Sequence, residues 1–223
     1  MIDRQDRLIK AILFDMDGVL IDSMPHHVSA WQQVFSEFGV EIPARILQEK
    51  EGEKARITML RLAKENGLDW DEDCIDELID KKRSIYRKNA PRGLRTAAKE
   101  VLQFCNDRNL KTAIVTGSVR RNLEWTLSEE ERSLFDVIIS SELYSESKPH
   151  PRPFLRAADE LQVPPPNCLV IENAPLGIKS ANAAKMTCMA ITTTLPEDEL
   201  RGADYIRPDV NFLPEIIDII EKQ

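Results

Sequence analysis

The sequence predicts a doubly wound α/β fold: a parallel sheet wrapped by helices, with an all-helical unit inserted after the first strand. Three observations carry this expectation. Apolar runs such as the Ala-Ile-Leu-Phe that ends at Phe14 show no alternation, which suits strands buried on both faces. Beyond residue 92 such runs alternate with helical patterns, as in parallel strands joined by crossover helices. Residues 25–86 show only helical periodicity. The expected division is a core of residues 1–22 and 92–223, and a helical unit of residues 23–91.

The first strand runs into Asp15, so its polar residues fall at the C-terminal end, where open α/β sheets keep their ligands. Trp31, Val34, Phe35 and Phe38 follow the i, i+3, i+4, i+7 spacing of a helix that Gly39 is placed to stop. Ile57, Leu60 and Ala63 continue in the same style, and Cys74, Ile75, Leu78 and Ile79 form another stripe. Thr96 is placed to cap a helix running to about residue 109. Strands are expected over residues 111–117, 135–140, 168–171 and around 189–192. Helices pass through Leu123 and Leu127, over 154–161 with Pro153 in the first turn, and over 178–184.

The 223 residues carry 30 Lys and Arg against 38 Asp and Glu, a formal charge of −8, with 42% apolar and 30% charged residues. That is the composition of a soluble globular chain, long enough to bury roughly 70% of its unfolded surface in one or two domains. Apolar runs are far shorter than the roughly 20 residues of a membrane span, and the first seven residues show no apolar signal region. The acidic balance argues against nucleic acid as a partner. Cys74, Cys105, Cys168 and Cys188 are scattered, with no C-x-x-C pair, and read as reduced thiols in a cytoplasmic protein. Lys81, Lys82, Arg83, Arg87, Lys88, Arg92 and Arg95 form the one basic run. It reads first as a solvated helix face and second as an attractor for an anionic substrate, with Lys82 the member to test.

The residues after the buried strands share one sheet edge: Asp15 and Asp17, then Thr116, Gly117 and Ser118, then Lys148, then Glu172 and Asn173. This set suits phosphoryl transfer. A hard cation such as Mg²⁺ takes oxygen ligands, which Asp15, Glu172 and Asn173 can supply. A carboxylate can attack phosphorus, and a second carboxylate two residues on can protonate the leaving oxygen and then activate water. Lys148 and Thr116 are placed to hold the transferring group's oxygens.

These residues resemble the haloacid dehalogenase superfamily in four ordered motifs. Asp15-Met-Asp17-Gly-Val is similar to its DxDG(V/T) signature, and Thr116-Gly-Ser to its second motif. Ser147-Lys148-Pro-His-Pro resembles the third, and Ile171-Glu172-Asn173-Ala-Pro-Leu-Gly177 the fourth. The resemblance implies that Asp15 is the nucleophile and a Mg²⁺ ligand, and that Asp17 is the acid/base and lends a backbone carbonyl to the metal. It implies that Thr116 and Lys148 bind the phosphoryl group, and that Glu172 and Asn173 complete the metal site. The second Asp favours the phosphatase and phosphomutase branches over the dehalogenases.

The insert is similar to the small helical cap of the β-phosphoglucomutase and phosphoglycolate phosphatase group. His27, twelve residues past the nucleophile, resembles a histidine that assists closure over a sugar phosphate. His26 is the weaker candidate beside it. Gly52, Arg56 and Lys82 fall where cap residues of that group reach substrate. Asn173 departs from the usual Asp and implies weaker metal binding, Arg152 departs from the usual Asp of the third motif, and Val119-Arg120 weakens the mutase reading. The X-Pro bond of Lys148-Pro149 is a candidate cis peptide.

The function expected is a Mg²⁺-dependent phosphatase of a small phosphorylated metabolite, a sugar phosphate first. A phosphomutase using the same aspartyl-phosphate is the alternative. A phospho-accepting signalling module and a non-catalytic relative follow at a distance. A cytoplasmic monomer is expected.

Overall fold

The computed structural model of the chain describes residues 8–207 and 213–221; residues 1–7, with the reading made of them above, lie outside that range. Six strands, β1 (Ala11–Phe14), β2 (Lys111–Val115), β3 (Val137–Ile139), β4 (Cys168–Glu172), β5 (Thr187–Ile191) and β6 (Tyr205–Arg207), form one sheet. Their order is β3-β2-β1-β4-β5-β6 and every neighbouring pair is parallel. The chain moves outward from β1 to β3, then returns to the other side of β1 with β4. The switch point therefore lies at β1, and ligands of such sheets bind at that crevice.

The unbroken apolar runs follow from two buried faces. Ile12 and Phe14 pack with Ala98, Val101 and Leu102 of α5 (Thr96–Asp107). Ala11 and Leu13 pack on the other face with Phe154, Ala157 and Leu161 of α8 (Arg152–Leu161) and with Ile178 and Ala181 of α9 (Pro175–Ala183). Each fully buried Leu, Ile or Phe contributes about 1.5–3 kcal/mol. The remaining core helices are α6 (Arg120–Thr126), α7 (Glu129–Arg132) and α10 (Leu213–Glu221).

Between β1 and α5 come only helices: α1 (Met24–Ser36), α2 (Ala44–Glu49), α3 (Ala55–Glu65) and α4 (Glu72–Asn89). They share a separate apolar cluster that includes Trp31, Phe35, Met59, Leu62, Ile75 and Ile79. Asp71 caps α4 by accepting from the Cys74 N–H at 2.8 Å, and Arg87 and Lys88 in its last turn suit the helix dipole. No helix among the described residues is long and apolar enough to cross a membrane.

Several expectations are corrected. Ile57 and Leu60 are exposed, because α3 buries Thr58, Met59, Leu62 and Ala63 instead. Phe38 lies past the end of α1, exposed and edge-on to Trp70. Thr96 is the first residue of α5 rather than its cap, and its preceding Arg95 makes no side-chain cap bond. The strands stop at Val115 and Ile139, short of the expected residues 117 and 140. Lys82 is buried although its neighbour Lys81 is exposed, so the basic run is not one solvated face.

Candidate active site

The C-terminal ends of β1, β2 and β4 and the segment between β3 and α8 bring Asp15, Asp17, Thr116, Lys148, Glu172 and Asn173 together, all buried. The Lys148 ammonium spends its three protons on Asp15 Oδ1 at 2.5 Å, Glu172 Oε1 at 2.6 Å and the Val115 carbonyl at 3.3 Å. Burial alone would lower Lys148, but these two carboxylates outweigh it and hold the amine above its ordinary value. Burial lifts the Asp15 carboxyl to about 8, with Glu172 and Asp17 adding to the rise and Lys148 opposing it. The Lys148-Pro149 peptide is cis. Gly177 opens the space for Glu172, since a Cβ there would overlap the carboxylate.

Asp17 is held differently. Its Oδ1 accepts from the Ser23 hydroxyl at 2.6 Å and lies 3.0 Å from His27 Nε2, while Oδ2 is 3.4 Å from the Ser118 hydroxyl. His27 Nδ1 lies 2.7 Å from Lys82 Nζ, and the imidazole stacks on Tyr86 at 4.0 Å. Because Lys82 has only protons to give, Nδ1 accepts and the ring proton sits on Nε2, donated to Asp17. Burial, then Lys82, lowers His27 and keeps it neutral. Burial would raise Asp17, but His27, Ser23 and Lys82 together bring it down to about 2. With His27 neutral, its share at neutral pH is the hydrogen bond, and the positive charge is that of Lys82.

The helical insert closes over these residues. Gly52 has φ +84° and a Cβ there would meet Lys148 Cδ at 2.7 Å, while a Cβ on Gly117 would meet the Gly52 carbonyl oxygen at 3.1 Å. Lys54 Nζ donates to the Tyr144 carbonyl at 2.7 Å, and the Tyr144 hydroxyl donates to the Thr116 carbonyl at 2.9 Å. Thr116 Oγ1 accepts from the Ser118 N–H at 3.0 Å. A cavity of about 620 Å³ remains between insert and core, lined by Asp15, Asp17, His27, Gly52, Lys82, Thr116, Gly117 and Ser118 among others.

Other positions are not brought into play. Arg56 lines the cavity, yet its guanidinium is held by Glu72 at 3.3 Å and by Asp76. His26 is half-buried and is not among the residues lining the cavity. Arg120 pairs with Glu124 at 2.9 Å, and Arg152 lies 3.9 Å from Glu146 on the surface. Three contributors escaped sequence reasoning: Ser23, Glu51 and Thr194. Asn173 Nδ2, with two protons to share, lies 2.7 Å from Thr194 Oγ1, 3.1 Å from Glu51 Oε2 and 3.2 Å from the Asp17 carbonyl. Ser23 and Thr194 belong to none of the four motifs, and the only signal for Glu51 was its place beside Gly52.

A family model of haloacid dehalogenase-like hydrolases matches residues 9–185. The chain belongs to this family. Protein SUPPRESSOR OF QUENCHING 1, chloroplastic, from Arabidopsis thaliana is 35% identical over 91% of this chain, which spans only a fifth (20%) of that protein's length. Hexitol phosphatase B of Escherichia coli is 30% identical over 92% of both chains. A candidate β-phosphoglucomutase from Bacteroides vulgatus superposes with a TM-score of 0.83 at 28% identity, covering 96% of this chain and 89% of that one. The protein is thus an enzyme of the haloacid dehalogenase-like hydrolases, with their α/β fold.

The buried oxygens fit the cation that this family implies. Asp15 Oδ2 and Asn173 Oδ1 are both buried and have no hydrogen-bond partner. Unpartnered oxygens on buried side chains are what a hard cation needs. Among the described residues no three His, Cys, Asp or Glu side chains form a ready cage. A cation here would therefore have to draw on the Asn173 amide and the Asp17 carbonyl beside the carboxylates.

Proposed function

We propose that the chain is a Mg²⁺-dependent phosphatase of a small phosphorylated metabolite, a sugar phosphate first, acting through a phosphoryl group carried on Asp15. One observation carries this reading. Two carboxylates two residues apart line one cavity, Asp15 tied to Lys148 and Asp17 to the Ser23 and His27 donors. Environments that separate two carboxyl groups in this way set up different roles for them.

Asp15, Glu172 and Asn173, with the Asp17 carbonyl, would hold Mg²⁺. When bound it would supply positive charge that lowers the Asp15 carboxyl and offsets the phosphoryl oxygens. A carboxylate oxygen of Asp15 then bonds to phosphorus while the ester P–O bond breaks, its electron pair leaving with the alkoxide oxygen. Asp17 gives that oxygen a proton. Water next attacks phosphorus, its proton passes to Asp17, and the Asp15–phosphorus bond breaks to release phosphate. Asp17 starts deprotonated, so it takes up its proton as the anionic substrate enters and raises its carboxyl. Residues 23–91 act as the cap over residues 1–22 and 92–223, excluding bulk water as lids do.

Substrate class rests on similarity to Escherichia coli hexitol phosphatase B and to a Thermotoga maritima phosphatase of phosphorylated carbohydrates, 28% identical over 79% of this chain. The mutase alternative rests on similarity to the Bacteroides vulgatus protein. Two features favour hydrolysis: Arg56 has its guanidinium engaged and Val119 is apolar, so neither position offers an acceptor sugar a free polar group. A cytoplasmic monomer accompanies this reading. Phosphorus NMR with Mg²⁺, a panel of hexose and hexitol monophosphates, and a trace of glucose 1,6-bisphosphate tests it. Growth of inorganic phosphate is expected. Conversion of β-glucose 1-phosphate to glucose 6-phosphate without free phosphate would overturn it in favour of the mutase.

A further inference from the structure

We propose that Glu51 is an oxygen donor carried into the cation site by the cap, supplying the negative charge that Asn173 lacks. The proposal rests on the reading of that site as one for Mg²⁺. Three buried oxygens of this cluster have no hydrogen-bond partner: Asp15 Oδ2, Asn173 Oδ1 and Glu51 Oε1. Asp15 is 2% exposed and Asn173 is fully buried. The Asn173 amide ties the set together, because its Nδ2 donates to Glu51 Oε2 at 3.1 Å and leaves both remaining oxygens without a donor.

A carboxylate oxygen buried without a partner is costly, so its retention calls for a positive group to face it. Lys148 does not serve: its protons are spent on Asp15 Oδ1, Glu172 Oε1 and the Val115 carbonyl. A hard cation that prefers carboxylate and carbonyl oxygens would use all three unpartnered atoms. The charge fits as well. An Asp at position 173 would bring a carboxylate from the core, and with Asn there the equivalent charge comes from the insert.

Glu51 sits between α2 and α3, next to Gly52, where a Cβ would meet Lys148 and whose carbonyl a Cβ on Gly117 would meet. It reaches the cluster only while that loop is seated on the core. Cation binding and seating of the loop must then favour each other equally, by the reciprocity of linked equilibria. The cation would act as a clasp between core and cap, and Glu51 as its cap-side half.

Mn²⁺ binding to the full chain, with free Mn²⁺ counted by electron paramagnetic resonance, tests this without turnover. Glu51→Gln keeps the shape and the hydrogen bond to Asn173 but removes the charge, and Glu51→Ala removes both. Each is expected to weaken Mn²⁺ binding about 10- to 100-fold, the scale for groups that tune a metal site. Adding Asn173→Asp to Glu51→Ala is expected to recover most of that loss. In the unmodified chain Mn²⁺ is expected to slow amide hydrogen exchange in residues 50–54, and in Glu51→Gln it is not. Binding within about twofold of the unmodified chain in both Glu51 variants would overturn the proposal, provided Asp15→Asn lowers affinity. If Asp15→Asn also leaves Mn²⁺ binding unchanged, the cation site itself is misplaced.

Discussion

Lys82 and Asp17 are joined through a single imidazole: His27 Nδ1 lies 2.7 Å from the Lys82 ammonium and Nε2 lies 3.0 Å from Asp17 Oδ1. A charge on the insert thereby fixes the tautomer of the ring that donates to a core carboxylate. The ammonium lies over the Trp31 ring at 5.2 Å and over the Tyr86 ring at 5.6 Å, which favours a cation at the ring faces. Burial nevertheless lowers Lys82 to about 8, with Asp17 pulling it back up.

The pH dependence follows with a definite sign. Raising the pH through about 8 removes the Lys82 proton, frees His27 to take the other tautomer, and takes from the cavity a positive charge that would attract an anionic substrate. kcat/KM is expected to fall above about pH 8, and Lys82→Ala to lower activity and abolish that basic limb. A Lys82→Ala variant that keeps the same basic limb would assign it to another group.

Lys148→Met removes the one ammonium between Asp15 and Glu172 and strands two buried carboxylates. Breaking a buried ion pair in this way costs about 3–5 kcal/mol. For a chain of this size that lowers Tm by roughly 6–20 °C. Thermal melts followed by circular dichroism check it, and an unchanged Tm would show that Lys148 carries no such charge balance.

Asp17→Asn is expected to lower kcat by roughly 10² to 10⁴, the range for loss of a general acid/base. The loss should be larger for an alkyl phosphate than for an aryl phosphate whose leaving group needs no proton. Steady-state assays of both substrates give the comparison. Equal losses would remove Asp17 from protonation of the leaving oxygen.

Gly52→Ala tests the seat of the cap. The backbone there is left-handed at φ +84°, and a methyl group would press on Lys148 Cδ at 2.7 Å. Strain of about 1–2 kcal/mol is expected from the conformation alone, a shift of only a few degrees in Tm. Turnover should fall more steeply, about tenfold or beyond, because the loop that covers Asp15 is lifted. A proportionate loss of stability with unchanged kcat would show that the seating does not matter.

The sheet was legible in the sequence because strands buried on both faces read as unbroken apolar runs. β6 was not: its three residues are all only partly buried and carry Tyr, Ile and Arg, so no pattern marks them. Helix registers in the insert were half legible. Ile57 and Leu60 look apolar by spacing but are exposed, while Thr58 is buried through its hydroxyl's bond to Glu53 at 2.7 Å. Asp15, Asp17, Thr116, Lys148, Glu172 and Asn173 could be read together because each lies at or beyond the C-terminal end of a strand. Ser23, Glu51 and Thr194 could not, since their places depend on how loops fold back in space. Lys82 stood in a basic run that reads as solvent-facing until the aromatic rings around it are seen.

The most direct test of an aspartyl-phosphate mechanism is a search for phosphate on Asp15. Asp17→Asn protein, mixed with Mg²⁺ and a reactive aryl phosphate and quenched in acid, is digested and its peptides are weighed by mass spectrometry. A phosphoryl adduct is expected on the peptide carrying Asp15, absent from an Asp15→Asn control that also fails to release phosphate. Phosphate release by Asp15→Asn at the rate of the unmodified protein, with no adduct on Asp15, would contradict it.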